Sequence, residues 1–414
     1  MTSRNAVVVG GNRTPFVKAG TRYAMASAQD LFTAALDGLV ARFALAGEQV
    51  DEVVGGAVLK HTRDFNLTRE AVLGSALSPR TPACDLQQAC CTSLEAVVYA
   101  SNKIRLGQAD TMIAGGVDSA SDAPIVVTEP LRKALLALNR ARSLPEKLAA
   151  LSKIRPGDLA PVPPGVLEPR TGLSMGESQA ITTKRWGISR QEQDELSLIS
   201  HQRLAKAWDS GFFDDLVTPY LKVTKDSVLR PDTTMEALGK LRPVFGKGEH
   251  ASMTAGNSTA LTDGAAVVLL AEEDHARGRG WPVLARLIDA QVAASDYVTG
   301  GDDLLLAPTR AIPQLLERNG LTLNDFDFYE FHEAFASTVL ATLKSLEQSG
   351  VGAVDRARLN VNGSSLAAGH PFAATGARIV ASLAKMLAEK GPGSRGLISI
   401  CAAGGQGLVA ILEA

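Results

Sequence analysis

The 414-residue chain predicts an α/β fold made of two similar halves with a foreign segment between them. Three observations lead there. Short apolar runs alternate with helix-length amphipathic stretches, the pattern of buried strands covered by helices. The order of elements also recurs. "LFTAALDGLVARFALAGEQVDEVVGGAV" (31–58) has the plan of "TRAIPQLLERNGLTLNDFDFYEF" (309–331), and "AVVYASNKIRLGQADTMIAGG" (96–116) that of "ARIVASLAKMLAEKGPGSRGLISICAAGG" (377–405). Finally, 122–251 matches neither half and reads as an insert. The expected division is a first half over 1–121 completed by 252–273, an insert over 122–251, and a second half over 274–414.

Taken in order, "AVVVGG" (6–11) is the first strand, and the chain enters it too early to leave room for a signal or transit peptide. "AQDLFTAALDGLVARFALAG" (28–47) follows as an amphipathic helix and "EVVGGAVL" (52–59) as a buried strand. "PACDLQQACCTSLEAVVYASNKIRLG" (82–107) reads as a strand-like run and then a helix beginning near Cys90; "TMIAGGV" (111–117) is the next strand.

The insert opens with two leucine-striped helices: Leu131, Leu135 and Leu138 share one face, as do Leu144, Leu148 and Leu151. Ser143 with Glu146 has capping-box spacing, and so does Ser189 with Glu192 before "RQEQDELSLISHQRLAKAW". Over 131–155 there are seven Lys or Arg against one Glu. That is either a hairpin packed on the body with a solvated charged face, or a docking or membrane-surface element. "AAVVLLA" (265–271), "FDFYEF" (326–331) and "GLISICAAGG" (396–405) are the remaining strands, and "TGARIVASLAKMLAEKG" (375–391) the last helix.

Composition bounds the function. With 45% apolar and 21% charged residues the chain is globular, and a net charge of −2 offers nothing to nucleic acid or an anionic bilayer globally. No 18-residue apolar run occurs, and four cysteines without a CxxC fit a reducing compartment, so a cytoplasmic location is expected. "VVVGGNRTPF" lacks GxGxxG and no G-K-[ST] follows a glycine cluster, which argues against a dinucleotide or P-loop site.

Adjacent Cys90 and Cys91 have several readings. A thiol at a helix N-terminus faces unpaired N–H groups and the positive dipole end, which favours thiolate. Helical neighbours point about 100° apart, so the two thiols do not share one site. No further side chains stand at metal-ligand spacing, so no metal is expected. Of six histidines, His61, His201, His250 and His275 lie in polar or helical settings and read as surface or packing residues. His332, in "FYEFHEAFAS", follows an aromatic strand. His370 lies in the small-residue stretch "NVNGSSLAAGHPFAATGAR", and Cys401, in "SICAAGGQG", precedes glycines. Small residues let backbone approach a ligand or another backbone closely. Each of these motifs alone is ambiguous.

Together they resemble the thiolase family over nearly the whole chain. "CCTSLEAV" is similar to its nucleophile segment, "TAGNSTALTDGAA" to its CoA-side loop, and "EFHEAFA" to a strand-end motif that more often begins with asparagine. "NVNGSSLAAGHPFAATGAR" resembles its Gly-His-Pro block and "CAAGGQG" its C-terminal cysteine motif, with Ala403 where glycine is usual. His332, the basic insert and "RPGDLAPVPP" resemble the β-subunit type of the fatty-acid β-oxidation complex, whereas "MGESQA" departs from the usual pattern.

The resemblance implies a thiolase fold: two βαβαβαββ halves in a five-layer αβαβα arrangement with an inserted loop domain. It implies thiolysis of 3-ketoacyl-CoA, with coenzyme A as substrate and no permanently bound cofactor. Cys90 would be the nucleophile, His370 the base, Cys401 the second acid–base, and His332 the holder of a water. Backbone N–H groups of Cys90 and Ala403 would form an oxyanion hole, and Met175, Arg230, Ala255 and Thr259 would touch CoA. A homodimer or tetramer follows by analogy. A hydratase/dehydrogenase α subunit or a membrane would meet 131–155. A biosynthetic acetoacetyl-CoA thiolase and a ketoacyl synthase-like condensing enzyme remain as alternatives, the latter disfavoured because such enzymes lack the second cysteine.

Overall fold

The computed structural model describes residues 4–162, 165, 167–248 and 251–414. Met1–Ser3, where a leader would begin, lie outside these, as do His250 and the prolines at 163 and 164 of "RPGDLAPVPP".

All six strands expected from the sequence form. The chain runs β1 (Ala6–Arg13), β2 (Val17–Lys18), α1 (Ala28–Phe43), β3 (Glu52–Gly55), α2 (Leu67–Gly74), β4 (Ala83–Asp85), α3 (Thr92–Arg105) and β5 (Thr111–Ser119). The intervening segment carries α4 (Glu129–Arg140), α5 (Leu144–Leu151), α6 (Met175–Arg185), α7 (Arg190–Asp209), α8 (Met235–Gly239) and a short ribbon, β6 (Pro243–Phe245) with β7 (Met253–Thr254). Strand β8 (Thr262–Glu272) returns to the body, and α9 (Glu273–Gly278) leads onward. The rest is β9 (Ala285–Ala294), α10 (Pro308–Asn319), β10 (Phe328–Phe331), α11 (Ala336–Gln348), α12 (Ser365–Ala368), α13 (Thr375–Lys390), β11 (Arg395–Ala402) and β12 (Gln406–Glu413).

Strand alternation sorts these elements into layers. On β1, Val7 and Val9 pack with α1 and α2, while Ala6 and Val8 face the other way, toward α3 and α13. On the far side, Ile398, Ile400, Leu408 and Ala410 of β11 and β12 close the same central cluster. Leu397, Val409 and Ile411 point outward to α10 and α11. The order is therefore helices, strands, the central pair α3 and α13, strands, helices. The strand sequence β10-β11-β12-β9-β1-β8-β5-β3-β4 is continuous because Val7 and Val8 of β1 also pair with Arg286 and Ala285 of β9. The second half is not a strict repeat of the first. Where the first half has β4, it has a single parallel bridge, Tyr329–Leu359.

The two central helices touch closely. An added Cβ on Gly376 would lie 2.4 Å from the Leu94 backbone nitrogen, and Ser93 Oγ accepts the Ala377 N–H at 2.8 Å. That contact aligns the N-terminal ends of α3 and α13.

In the insert, α7 begins with the full expected box between Ser189 and Glu192. The box on α5 is half formed: Ser143 Oγ accepts the Glu146 N–H, but the Glu146 carboxylate accepts from Arg142 N instead. Much of the leucine stripes stays uncovered. Leu131 and Ala134 of α4 and Ala150 of α5 are buried, whereas Leu135, Leu148 and Leu151 are exposed and Leu144 is 70% exposed.

Candidate active site

Cys90 sits on a tight turn between β4 and α3. Ala89 just before it adopts φ +46, a left-handed conformation uncommon outside glycine. The turn is held by Thr92, whose Oγ1 accepts from Gln88 N at 2.9 Å and donates to Ala89 O at 2.7 Å. Helix α3 starts at Thr92 with Cys91 as its N-cap residue, so Cys90 lies just outside the first turn. Cys91 is fully buried, and its thiol donates to Ile400 O at 3.4 Å. It packs the turn against β11.

His370 enters from the equivalent place in the second half, ahead of α13. Gly369 has φ +97, and an added Cβ there would fall 2.7 Å from the Thr262 side chain, so glycine is required on both counts. His370 N donates to Thr262 Oγ1 at 2.8 Å, and Nδ1 meets Thr375 Oγ1 at 2.6 Å. Its Nε2 then stands 3.2 Å from Cys90 Sγ. The two residues are 280 positions apart in the chain and joined only by the fold.

Cys401 is buried near the end of β11. Beyond it, Gly404 and Gly405 take φ +77 and +70 to turn the chain into β12. Glu168 from the insert holds this turn: one carboxylate oxygen accepts the Gly404 N–H at 2.7 Å and the other accepts the Tyr297 hydroxyl at 2.8 Å. The N–H groups of Ala403 and of Cys90 itself both act to favour a thiolate at Cys90. His332 is buried; its N–H donates to Ser399 O at 2.8 Å, and its ring centroid lies 4.0 Å from that of His370. Its Nδ1 meets Ser365 Oγ at 2.8 Å, and its Nε2 has no partner among the described residues.

Electrostatics set the resting protonation states. Burial pushes the Cys90 thiol up to about 12, although the Ala403 N–H and its own N–H pull the other way. Desolvation thus outweighs the N–H groups that favour a thiolate at this place. Burial also lowers His370 to about 3, helped by Arg378. The pair therefore rests as a neutral thiol beside a neutral imidazole. Burial, with the neighbouring Cys90, raises Cys401 as well. Behind the site, Asp118 is raised to about 7 by burial while it accepts N–H groups from Leu59, Ala373 and Val58. Its bond to Ala373 N, at 2.7 Å, ties the His370 loop to β5.

The CoA candidates lie more loosely. Met175 opens α6 and packs in a cluster with Phe245, Met253, Phe335 and Cys401. Ala255 is exposed on the loop after β7, and Thr259 Oγ1 donates to Ser365 O at 2.9 Å. Arg230 is exposed, its backbone N–H given to buried His201 Nδ1 at 3.1 Å. His61 bonds Asp122, and His275 packs edge-on to Trp281. Among the described residues no group of three His, Cys, Asp or Glu could hold a metal ion. Sequence reading missed Thr262, Ser365, Thr375 and Arg378, although all but Thr262 lie within the quoted histidine block. It missed Glu168 altogether, since an isolated glutamate in a loop carries no pattern.

A duplicated five-layer α/β fold with a thiol, an imidazole and a second thiol converging at its centre defines an acyl-transfer class of site. Comparison narrows it. Residues 6–274 match the thiolase N-terminal domain and 281–414 the thiolase C-terminal domain. The chain is 42% identical to 3-ketoacyl-CoA thiolases of Yersinia pestis (strain Pestoides F) and Yersinia pseudotuberculosis (serotype O:1b), covering 98% of this chain and 96% of each relative. Its fold is similar to the acetyl-CoA acetyltransferase of Bacillus anthracis (TM-score 0.85, 30% identity, 99% of both chains). It is also similar to human mitochondrial 3-ketoacyl-CoA thiolase in complex with CoA (TM-score 0.83, 29% identity, 99% of this chain and 98% of that one). This chain belongs to the thiolase family.

Proposed function

We propose that this thiolase is an acyltransferase of fatty-acid β-oxidation that cleaves 3-ketoacyl-CoA with free CoA, giving acetyl-CoA and an acyl-CoA two carbons shorter. The observation that carries the reading is the 3.2 Å approach of His370 Nε2 to Cys90 Sγ, beside buried Cys401. The names of the 42% identical relatives support the substrate class.

Cys90 Sγ attacks the 3-keto carbon while His370 Nε2 takes the thiol proton. The tetrahedral oxyanion collapses, breaking the C2–C3 bond and leaving the acyl group on Cys90. The departing acetyl-CoA carbanion takes its proton from Cys401. The Cys401 thiolate then deprotonates incoming CoA, whose sulfur displaces the acyl group, and His370 returns the first proton to Cys90. One oxyanion is held by His370 and a water fixed by His332, the other by the N–H groups of Cys90 and Ala403. Losing one such donor costs about 3–4 kcal/mol of transition-state stabilisation. CoA runs over the 122–251 loop domain, past Met175, Ala255 and Thr259 toward Arg230. A cleft of about 540 Å³ lies between α6 and the β6–β7 ribbon, lined by Ala180, Phe245 and Met253, and none of these four candidates lines it.

The rate of thiolysis across an acyl series, from acetoacetyl-CoA to long 3-ketoacyl-CoA, tests the assignment, with Cys90→Ser expected to abolish turnover. Activity confined to acetoacetyl-CoA would favour the biosynthetic reading, to which the Bacillus anthracis neighbour lends its weight. Activity with malonyl donors and none with free CoA would mark a condensing enzyme instead.

We also assign a homodimer or tetramer, which the outer side of edge strand β4, unpaired among the described residues, supports. Exposed leucines and interspersed cations on α4 and α5 support contact of 131–155 with a hydratase/dehydrogenase subunit or with membrane. Deleting that hairpin should abolish co-purification or lipid pelleting and leave a soluble oligomer. A cytoplasmic site of action accords with the sparse cysteines, and no helix among the described residues is long and apolar enough to cross a membrane.

A further inference from the structure

A buried histidine donates from Nε2 in only one of its two neutral tautomers, and the partner of Nδ1 decides which. His332 is 2% exposed, and its Nε2 is left without a protein partner among the described residues. Its Nδ1 lies 2.8 Å from Ser365 Oγ. Ser365 is itself fully buried, and among the described residues its hydroxyl has just one other partner, Arg378 Nη2 at 3.2 Å. A guanidinium has donors and no acceptor. The Ser365 proton therefore has one acceptor, His332 Nδ1. With the proton on Nδ1 instead, two donors would converge on Oγ and the hydroxyl proton would be stranded, a costly arrangement away from water.

We propose that Ser365, with one lone pair occupied by Arg378, is a positioning residue that fixes His332 as the Nε2–H tautomer. A hydrogen-bond donor is thereby held ready beside His370 for a substrate oxygen or a bridging water. Neighbouring His370 is arranged the other way. Thr375 Oγ1, against its Nδ1, has a second acceptor in Pro371 O at 3.5 Å, so it can receive a proton from Nδ1 while passing its own onward. His370 Nε2 is thus left to accept from Cys90. The two rings, 4.0 Å apart, present opposite faces of the same chemistry: one takes a proton, the other lends one. Arg378 also opposes a second proton on His332, whose basicity is lowered first by burial and then by His370 and Arg378. The ring stays a neutral donor.

The inference rests on the thiolysis reading, and its tests separate the two. Asparagine at 332 donates an N–H without a tautomer to set. Ser365→Ala is expected to lower thiolysis kcat tenfold or more in the native background, and less than twofold in a His332→Asn background. Equal losses in both backgrounds would mean that Ser365 only packs, and would overturn the proposal. Imidazole ¹⁵N resonances of the unaltered protein give a readout without catalysis. His332 is expected to carry its proton on Nε2, and to become a mixture in Ser365→Ala; a proton on Nδ1 in the unaltered protein would sink the idea. Full thiolysis by Cys90→Ser would instead discard Cys90 as the nucleophile while leaving the resonance result standing.

Discussion

Cys90 illustrates how a single residue answers to its surroundings more than to its place in a sequence. Lying ahead of α3, it gains from N–H groups, yet enclosure dominates and holds the thiol near 12. Below that pH the group keeps its proton, and the thiolate fraction climbs about tenfold per pH unit. Alkylation of Cys90 by iodoacetamide should therefore accelerate from about pH 6 to about pH 9 without levelling, and CoA esters should protect it. Levelling below about pH 8 would reveal a pre-formed thiolate–imidazolium pair. The identities of the reacting groups were legible in the sequence because each lies in a motif of fixed spacing. Their protonation was not, because burial is a property of the assembled layers. Glu168 and Thr262 were invisible for a related reason: each acts through hydrogen bonds across a distance the sequence does not record.

Among the elements, α3 and α13 matter most, because their mutual contact sets where Cys90 and His370 end up. Gly376 sits at that contact, against backbone that cannot yield. Gly376→Ala is expected to force the helices apart, costing about 1–3 kcal/mol and at least tenfold in kcat. Denaturant unfolding and steady-state rates would check both, and an unchanged kcat would mean that the helix seam does not set the site. Strands and caps were read well from sequence, since alternation and capping are local. The α4–α5 stripes were not, because periodicity reports that a helix has an apolar face and says nothing of what covers it. Leu144 and Leu148 show the difference. The third strand of the second half was likewise unreadable: Leu359 stands in a polar, glycine-rich stretch and contributes one bridge.

For the molecule as a whole, buried carboxylates tie stability to pH. Burial raises Glu330 to about 8, against the pull of Arg378, and Asp118 to about 7. An unfolded carboxylate titrates near 4, so between about 4 and 8 the folded chain holds protons that the unfolded chain has released. The contribution of Glu330 is complete below about pH 4 and lost as pH rises through about 8. Glu330→Gln removes that dependence while keeping the shape. Its Tm is expected to gain on the unaltered protein from about pH 5 to about pH 8 and to hold that gain above it, and a constant difference throughout would refute the shift.

Cys90 and His370 come from opposite halves and meet only where the central helices touch. The reactive pair thus works as a gauge of the seam. A slip of one half against the other separates sulfur from nitrogen before either half loses a strand. On gentle heating, turnover should fade while circular dichroism still reports an intact fold, and cooling before unfolding begins should bring it back.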